Sequence, residues 1–270
     1  MLDRFDCYEL CVQSPRHEVN FLRAVHGNEP DVLREDFCGT GAVSRRWAAD
    51  ALKRGDDGRA VAIDLDRGAL AKARSLAVEI GVERLIEFAC GDAVNAEPLA
   101  ASGCDVIFVG NFSMGYIQRR ADVIRYLRAC KARLDAGNCG FGGGVFACDT
   151  YGGAGAFRLG GLERRYVAPR GEIVHYAWVH EKADPLTGMV ENSISFRVEK
   201  DGEVTSELPR AFTYCWRLWS IAELREAMHE AGFGSTAVYT QINVAPGEAP
   251  MAVESAAEFK EDWIVLIVAR

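Results

Sequence analysis

Residues 32–41, Val-Leu-Arg-Glu-Asp-Phe-Cys-Gly-Thr-Gly, decide the fold of this chain. An apolar, β-branched start leads into acidic residues and then into a glycine turn, and residues 40–54 have a helical pattern. This order of strand, glycine turn and helix is how a Rossmann-type sheet presents backbone N–H groups to a nucleotide-like ligand. Glycine suits the turn because it lacks the Cβ that would block close approach of the ligand. The motif is weak alone, and its weight comes from the motifs that follow.

Three later apolar stretches end in polar residues, as the parallel strands of such a sheet do. Residues 60–66, AVAIDLD, place Asp64 roughly twenty residues beyond the glycine turn, where a carboxylate binds ribose hydroxyls. Asp66 is expected to cap the helix that follows it. The other two stretches are residues 86–93, IEFACGDA, and residues 105–112, DVIFVGNF.

Together the four motifs resemble those of class I S-adenosylmethionine (SAM)-dependent methyltransferases, and the resemblance covers residues 30–150 and 218–270. In that family the first loop reads acid-x-Gly-x-Gly-x-Gly. Here Glu35 takes the acidic position, and Gly39 and Gly41 take the second and third glycines. Phe37 replaces the first glycine, which indicates an altered loop path.

The resemblance implies a SAM site at the carboxyl edge of the sheet. Asp64 would bind the ribose hydroxyls, Asp92 would bind the adenine amino group, and Asn111 would lie close to the reacting methyl. The cofactor-binding residues expected from the resemblance are Glu35, Phe37, Cys38, Gly39, Gly41, Asp64, Leu65, Asp92, Ala93 and Asn111.

The predicted fold class is α/β: a doubly wound, Rossmann-like seven-stranded sheet with an antiparallel β insertion. Alternating strands and helices predict the parallel part of the sheet, and the family resemblance implies that the last strand is antiparallel. After Asp149 the hydrophobic period becomes two, which predicts the antiparallel insertion. The expected domains are an N-terminal helical cover over 1–29, a core over 30–154 and 218–270, and a lid insertion over 155–217.

Composition limits the partners of the chain. The formal net charge of −8 argues against an extended nucleic-acid surface, which needs clustered Lys and Arg. The sequence has no apolar run of about 18 residues and no secretory pattern at its start, so no membrane contact and a cytoplasmic location are expected. Nine scattered cysteines without a Cys-x-x-Cys spacing predict small buried side chains and no metal site. A homodimer remains open.

The expected chemistry is methyl transfer to nitrogen or oxygen of a small molecule. An in-line displacement from a sulfonium mainly requires alignment of donor and acceptor, so a strong general base is optional. The catalytic candidates are Asn111, Tyr116, Tyr151 and His175. Asp149 has two interpretations, contact with the substrate or capping of a turn.

Two other functions remain open from the sequence. A nicotinamide-dependent oxidoreductase would fit the glycine turn, although its fingerprint is Gly-x-Gly-x-x-Gly, and the Gly-Asp and Gly-Asn strand ends suit SAM better. A non-catalytic partner protein with the same fold would account for the replacement of the first glycine by Phe37. Binding of SAM, S-adenosylhomocysteine or NAD distinguishes these alternatives.

Overall fold

The structure, a computed structural model, describes residues 2–27, 29–95, 103–137, 143–245 and 248–270. Among them it contains six α-helices and eleven strands. Along the chain these are α1 (Arg4–Val12), α2 (Pro15–His26), β1 (Val32–Asp36), α3 (Ala42–Arg54), β2 (Arg59–Asp64), α4 (Arg67–Glu79), β3 (Ile86–Cys90), β4 (Val106–Val109), α5 (Arg120–Asp135), β5 (Val145–Gly153), β6 (Gly160–Val167), β7 (Ile173–Asp184), β8 (Met189–Lys200), β9 (Glu203–Arg217), α6 (Ile221–Glu230), β10 (Thr236–Tyr239) and β11 (Asp262–Ala269).

The larger of two compact units comprises Pro15–Gly153 and Trp219–Arg270. Its seven-stranded sheet has the order β10-β11-β5-β4-β1-β2-β3. Neighbouring strands from β1 to β5 pair in parallel, whereas β11 pairs antiparallel with both β5 and β10. The doubly wound sheet with an antiparallel last strand is therefore confirmed.

Helices cover both faces of this sheet. On one face Phe21 and Leu22 of α2 and Trp47 of α3 are fully buried against the strands. On the other face Tyr126 of α5 and Leu224 of α6 are equally buried. Full burial of each such side chain contributes about 1.5–3 kcal/mol. The apolar faces of the flanking helices thus hold the strand ends in fixed positions.

Strand β1 carries a buried charged pair in the middle of the sheet. Arg34 Nε donates to Asp36 Oδ1 at 2.9 Å, and the Tyr126 hydroxyl donates to Asp36 Oδ2 at 2.7 Å. Burial raises the pKa of Asp36, while the Arg34 guanidinium and the Tyr126 hydroxyl oppose that shift. The pair explains how a central strand tolerates Arg34 and Asp36, two of its three charged residues, since buried charges need partners.

The smaller unit contains the residues up to Ser14 together with Ala154–Leu218. Its four strands are antiparallel and have the order β6-β7-β8-β9. Within β8, Val190, Ile194 and Val198 are buried, as the period-two pattern predicts. The antiparallel insertion is confirmed as a sheet, and its role as a lid stays a prediction.

The N-terminal segment divides between the two units. Helix α1 packs on the small sheet, where Cys7 is fully buried and the Tyr8 and Phe212 rings lie 4.9 Å apart. Helix α2 belongs to the larger unit. The sequence predicts one helical cover over residues 1–29, but the two helices bury their apolar side chains in different cores.

Local signals in the sequence are matched by caps in the structure. Asp66 accepts from the N–H groups of Gly68 and Ala69 at the start of α4. Ser220 and Glu223 form the capping box of α6. No helix among the described residues is both long enough and apolar enough to span a membrane.

Candidate functional site

The carboxyl ends of β1, β2, β3 and β4 meet at one edge of the large sheet, because these strands are parallel and in register. Asp36 pairs with Ile63 and with Val109, and Asp64 pairs with Cys90. The loops that leave these strands carry most of the residues predicted to bind a cofactor. This edge is where open parallel sheets bind their ligands.

Asp64 connects the end of β2 to the glycine turn. Its Oδ2 accepts from the Gly39 N–H at 2.7 Å, and its Oδ1 accepts from the Asp66 N–H at 2.8 Å. Burial raises the pKa of Asp64, while these two N–H groups oppose the shift. The Leu65 N–H opposes the shift as well, and a carboxylate with about four acceptor positions can still accept a bond from a ligand hydroxyl.

The two glycines of the turn have different roles. Gly39 has a φ of +54°, and a Cβ added there would meet no atom within 4 Å. Gly41 has a φ of +65°, and an added Cβ would come 3.4 Å from the Phe88 ring. Gly39 therefore leaves open space beside Asp64, whereas Gly41 provides the left-handed conformation of the N-cap of α3.

Phe37 occupies the position of the missing glycine in a left-handed conformation. Its φ is +58°, in a region that favours glycine over other residues. The half-buried ring is stacked on Tyr116, with centroids 6.1 Å apart and planes inclined by 15°. The next residue, Cys38, is buried and its N–H donates to the Ile63 carbonyl oxygen at 2.9 Å. The loop thus accommodates phenylalanine and stays attached to β2.

Glu35 points into the core beside α3. Its Oε2 accepts from the Ser44 N–H at 2.8 Å and from the Ser44 hydroxyl at 2.5 Å. Burial raises its pKa to about 7, and the two bonds from Ser44 oppose the shift. These contacts join the start of α3 to β1. Glu35 therefore stabilises the glycine turn, which lies between β1 and α3. Its direct contact with a cofactor stays a prediction.

Ser44 was not identified from the sequence as part of the site. It lies nine residues beyond Glu35 and is buried at the start of α3. From the sequence, its role could have been suggested only by its position, in the first turn of the helix that follows the glycine turn.

The Glu35→Gln variant is expected to change the pH dependence of stability. The pKa of Glu35 rises from an ordinary value of 4.5 to about 7 on folding, so wild type loses stability as pH increases between these values. Glutamine does not titrate. The unfolding free energy of the variant minus that of wild type should therefore increase with pH, by at most about 1.4 kcal/mol per pH unit. Urea unfolding from pH 4.5 to 7.5 measures this slope.

The matched control for that measurement is Glu87→Gln, which removes an exposed carboxylate from β3. Its unfolding free energy should run parallel to that of wild type over the same pH range. Parallel curves for Glu35→Gln as well would show that Glu35 has no raised pKa in the folded protein.

The end of β4 forms a left-handed turn that presents Asn111. Asn111 and Phe112 have φ values of 55° and 61°. The half-buried Asp149 residue accepts through its carboxylate from both residues, from the Asn111 N–H at 2.8 Å and from the Phe112 N–H at 2.6 Å. Strand β4 therefore ends at Val109, before the predicted limit of residue 112.

The contacts of Asp149 support its interpretation as a residue that holds a turn, and its contact with the substrate stays a prediction. Both of its oxygens hold backbone N–H groups. Burial raises its pKa to about 7, and those N–H groups oppose the shift. Asp149 thereby fixes the backbone on which Asn111 is carried.

The third strand end carries the residues predicted to bind the adenine. Asp92 Oδ1 accepts from the Val94 N–H at 2.9 Å, and its Oδ2 accepts from the Asn95 side-chain amide at 2.6 Å. Ala93 is buried, whereas Leu65 of the neighbouring loop is 65% exposed. An exposed apolar side chain and a fixed carboxylate on neighbouring loops suit a flat base with a polar edge.

The four catalytic candidates fall into two groups. Asn111, Tyr116 and Tyr151 belong to the larger unit, where Tyr116 stacks on Phe37 and the Tyr151 ring lies 4.8 Å from that of Phe112. His175 belongs to the small sheet, where its Nε2 lies 3.0 Å from Glu199 Oε2. A contact of this kind also suits a purely structural histidine, and the catalytic role of His175 stays a prediction.

The residues at the edge of the large sheet fit a nucleoside-containing cofactor. The open space at Gly39 would be filled by a Cβ, and the adjacent Asp64 carboxylate retains lone pairs for hydroxyl groups. Asp92, after the neighbouring strand β3, offers a polar contact to a ligand, and Leu65, after β2, offers an apolar one. The side-chain groups at this edge are carboxylate oxygens, which accept hydrogen bonds and so match the hydroxyls of a ribose and the amino group of a base better than a phosphate.

Comparison with known proteins identifies a domain in the part of the chain that contains the glycine turn and the ends of β2, β3 and β4. Residues 37–137 match the family model described as "Methyltransferase domain". Comparison with curated protein sequences gives no match.

Several solved structures have the same fold as the whole chain. DesVI of Streptomyces venezuelae is 15% identical, with a TM-score of 0.69 and coverage of 100% of this chain and 98% of that chain. A SAM-dependent methyltransferase of Clostridium acetobutylicum is 18% identical, with a TM-score of 0.65 and coverage of 96% and 95%. SAM-bound CalS10 of Micromonospora echinaspora is 13% identical, with a TM-score of 0.63 and coverage of 100% and 98%.

Proposed function

We propose that the protein transfers a methyl group from SAM to a small molecule, because residues 37–137 match a methyltransferase domain and the whole chain shares the fold of a SAM-dependent methyltransferase. The observation that carries the proposal is the Asp64 carboxylate, held at the carboxyl edge of the sheet beside the open space at Gly39. Bound SAM supplies a methyl group on a sulfonium with a good leaving group. The chain has to hold the donor, align the acceptor and exclude water.

Each strand end has a defined part in this proposal. Asp64 binds the ribose hydroxyls, and Asp92 with Leu65 and Ala93 binds the adenine. Asn111, on its left-handed turn, helps to position the acceptor beside the methyl. Tyr116, Tyr151 or His175 orients the acceptor or receives its proton.

The proposed acceptor is a nitrogen or oxygen atom of a small molecule. KedS8, a sugar N-methyltransferase, and CalS10, an amino pentose methyltransferase, have the same fold with TM-scores of 0.64 and 0.63. The formal net charge of −8 gives no attraction to a polyanion such as RNA. The described cysteines are all free thiols, which is consistent with the reducing cytoplasm that we propose as the location.

A methyltransferase assay with radiolabelled SAM tests the proposal on three parallel pools. The pools contain small molecules including amino sugars and phenols, peptides, and tRNA. We expect label in the small-molecule pool together with formation of S-adenosylhomocysteine. Turnover of tRNA or peptide alone would contradict the acceptor class, and stabilisation by NAD but not by SAM in a thermal-shift assay would contradict the cofactor.

The small sheet has a proposed role as a lid that contacts the acceptor. Trp178, Tyr214 and Trp216 form an aromatic group on it, and the rings of the last two lie 4.4 Å apart. Tyr214→Ala is expected to raise KM for the acceptor several-fold and to leave the Kd of SAM unchanged, because the cofactor residues lie on the other unit. Steady-state kinetics and calorimetry make the comparison, and an unchanged KM would argue against the lid.

A further inference from the structure

Phe37 and Tyr116 form an aromatic pair at the carboxyl edge of the large sheet. Phe37 follows β1, and Tyr116 lies in the turn that follows β4, the neighbour of β1 in the sheet. The two rings are nearly parallel with centroids 6.1 Å apart, which indicates an offset stack that leaves part of each ring face uncovered by the other. Tyr116 is 45% exposed and Phe37 is half-buried, so the pair presents aromatic surface at the strand ends.

Both rings are held in place by the rest of the larger unit. The Phe37 side chain packs against the two apolar clusters that contain Ile63 and Val109. The turn that carries Tyr116 is fixed at its far end, where the Trp219 indole N–H donates to the Ile117 carbonyl oxygen at 3.0 Å. Aromatic surface that is already fixed in place binds a ligand at a small cost in conformational entropy.

Phe37 carries its ring at a cost to the backbone. Its φ of +58° lies in the left-handed region, which glycine adopts without strain and bulky residues rarely adopt. Strained residues of this kind concentrate at ligand-binding and catalytic sites. The strain at Phe37 therefore favours a role for the ring in ligand binding in addition to its packing.

The covalent structure of SAM determines which of its groups lies near this pair. The sulfonium sulfur is bonded both to the reacting methyl group and to the terminal carbon of the ribose. In the proposed function, Asp64 at the end of β2 binds the ribose, and Asn111 after β4 lies near the methyl group. Strand β1 lies between β2 and β4 and is in register with both. The sulfur joining the two groups then lies across the end of β1, which is where Phe37 follows.

We propose that the ring faces of Phe37 and Tyr116 bind the positive charge of the sulfonium, so that the site favours SAM over S-adenosylhomocysteine. The proposal rests on the proposed function and adds selection of the cofactor by its charge. A cation is attracted to the negative face of an aromatic ring, most strongly where water is excluded. S-Adenosylhomocysteine has the same ribose and adenine but a neutral thioether, so the hydrogen bonds assigned to Asp64 and Asp92 are common to both ligands. Preference for SAM reduces inhibition by the product that each turnover leaves in the site.

Isothermal titration calorimetry on the whole chain measures this selectivity, defined as the Kd of S-adenosylhomocysteine divided by the Kd of SAM. Tyr116→Leu and Phe37→Leu each remove a ring but keep an apolar side chain. Each should lower the selectivity roughly threefold to tenfold, chiefly by weakening the binding of SAM. Tyr116→Phe keeps the ring face and should retain the selectivity of wild type. The same variant lacks the hydroxyl, so a proton-accepting role of Tyr116 would appear separately as a fall in kcat.

The matched control is Leu65→Ala, which removes an exposed apolar side chain from the part of the site that both ligands share. Its two Kd values should rise by the same factor, and circular dichroism checks that every variant is folded. The proposal would be overturned by unchanged selectivity in both leucine variants, by equal losses in Tyr116→Phe and Tyr116→Leu, or by a comparable loss in Leu65→Ala. A wild type that binds neither ligand would contradict the proposed function itself, and this proposal with it.

Discussion

Replacing Asp64 with alanine is expected to weaken SAM binding by one to two orders of magnitude. Each charge-assisted hydrogen bond to a ribose hydroxyl is worth about 1.5–3 kcal/mol, and 1.4 kcal/mol is a factor of ten in the dissociation constant. The change also removes the acceptor that holds the Gly39 N–H at 2.7 Å, so the glycine turn loses an anchor as well. Isothermal titration calorimetry with SAM and with S-adenosylhomocysteine measures the effect.

Asp66→Ala is the matched control, because it removes a carboxylate two residues away that caps α4. Loss of an N-cap costs about 1 kcal/mol of stability, so the midpoint of thermal unfolding should fall while the Kd of SAM stays near that of wild type. Asp64→Asn retains one carbonyl oxygen and should have an intermediate affinity. Equal affinities in wild type and Asp64→Ala would exclude Asp64 from the cofactor site.

Much of the fold could be predicted because its signals are local. The helix cap at Asp66, the capping box at Ser220 and the period-two pattern of β8 each depend on residues close together in the chain. The order of strands and glycine turns then restricts the topology, since parallel strands joined through helices have few arrangements. Only the antiparallel direction of the last strand had to come from the family resemblance.

The roles of buried acids could not be predicted in this way. Glu35 matches the acidic position of the family motif, yet its described contacts are with Ser44 on α3. The partners of Asp149 lie 38 and 37 residues away along the chain, and no spacing rule connects them. A carboxylate at a strand end has the same sequence signature whether it binds a ligand or holds a loop.

Backbone conformation sets a second limit on prediction from sequence. Phe37 and Phe112 both have a left-handed φ, which bulky residues rarely adopt. Such conformations cost of order 1–3 kcal/mol each and persist only where surrounding contacts enforce them. Here the enforcing contacts are the stacking of Phe37 on Tyr116 and the hydrogen bonds from the Asn111–Phe112 turn to Asp149. Both strained segments lie at the edge where the proposed reaction takes place.

The second large effect is expected at Asp149, which acts on the reaction through the turn that carries Asn111. Asp149→Ala leaves two N–H groups in a partly buried site without their acceptor, at a cost of at most about 1–3 kcal/mol each. The left-handed turn is then expected to relax, and Asn111 would lose the position that we propose for it beside the acceptor. We expect kcat to fall roughly tenfold to a hundredfold, since 1.4 kcal/mol is a factor of ten in rate. The Kd of SAM should change far less, because Asp64 and Gly39 lie on other loops.

Asp149→Asn distinguishes a positioning role from a general loss of stability. The amide keeps one acceptor oxygen, so it should support one of the two N–H groups and retain more activity than alanine. Because burial raises the pKa of Asp149 to about 7, kcat of wild type should decrease as pH falls below 7 and the carboxylate is protonated. The asparagine variant does not titrate there, so its kcat should lack this decrease. An unchanged kcat in Asp149→Ala, with the variant shown to be folded by circular dichroism, would mean that the turn at Asn111 does not control methyl transfer.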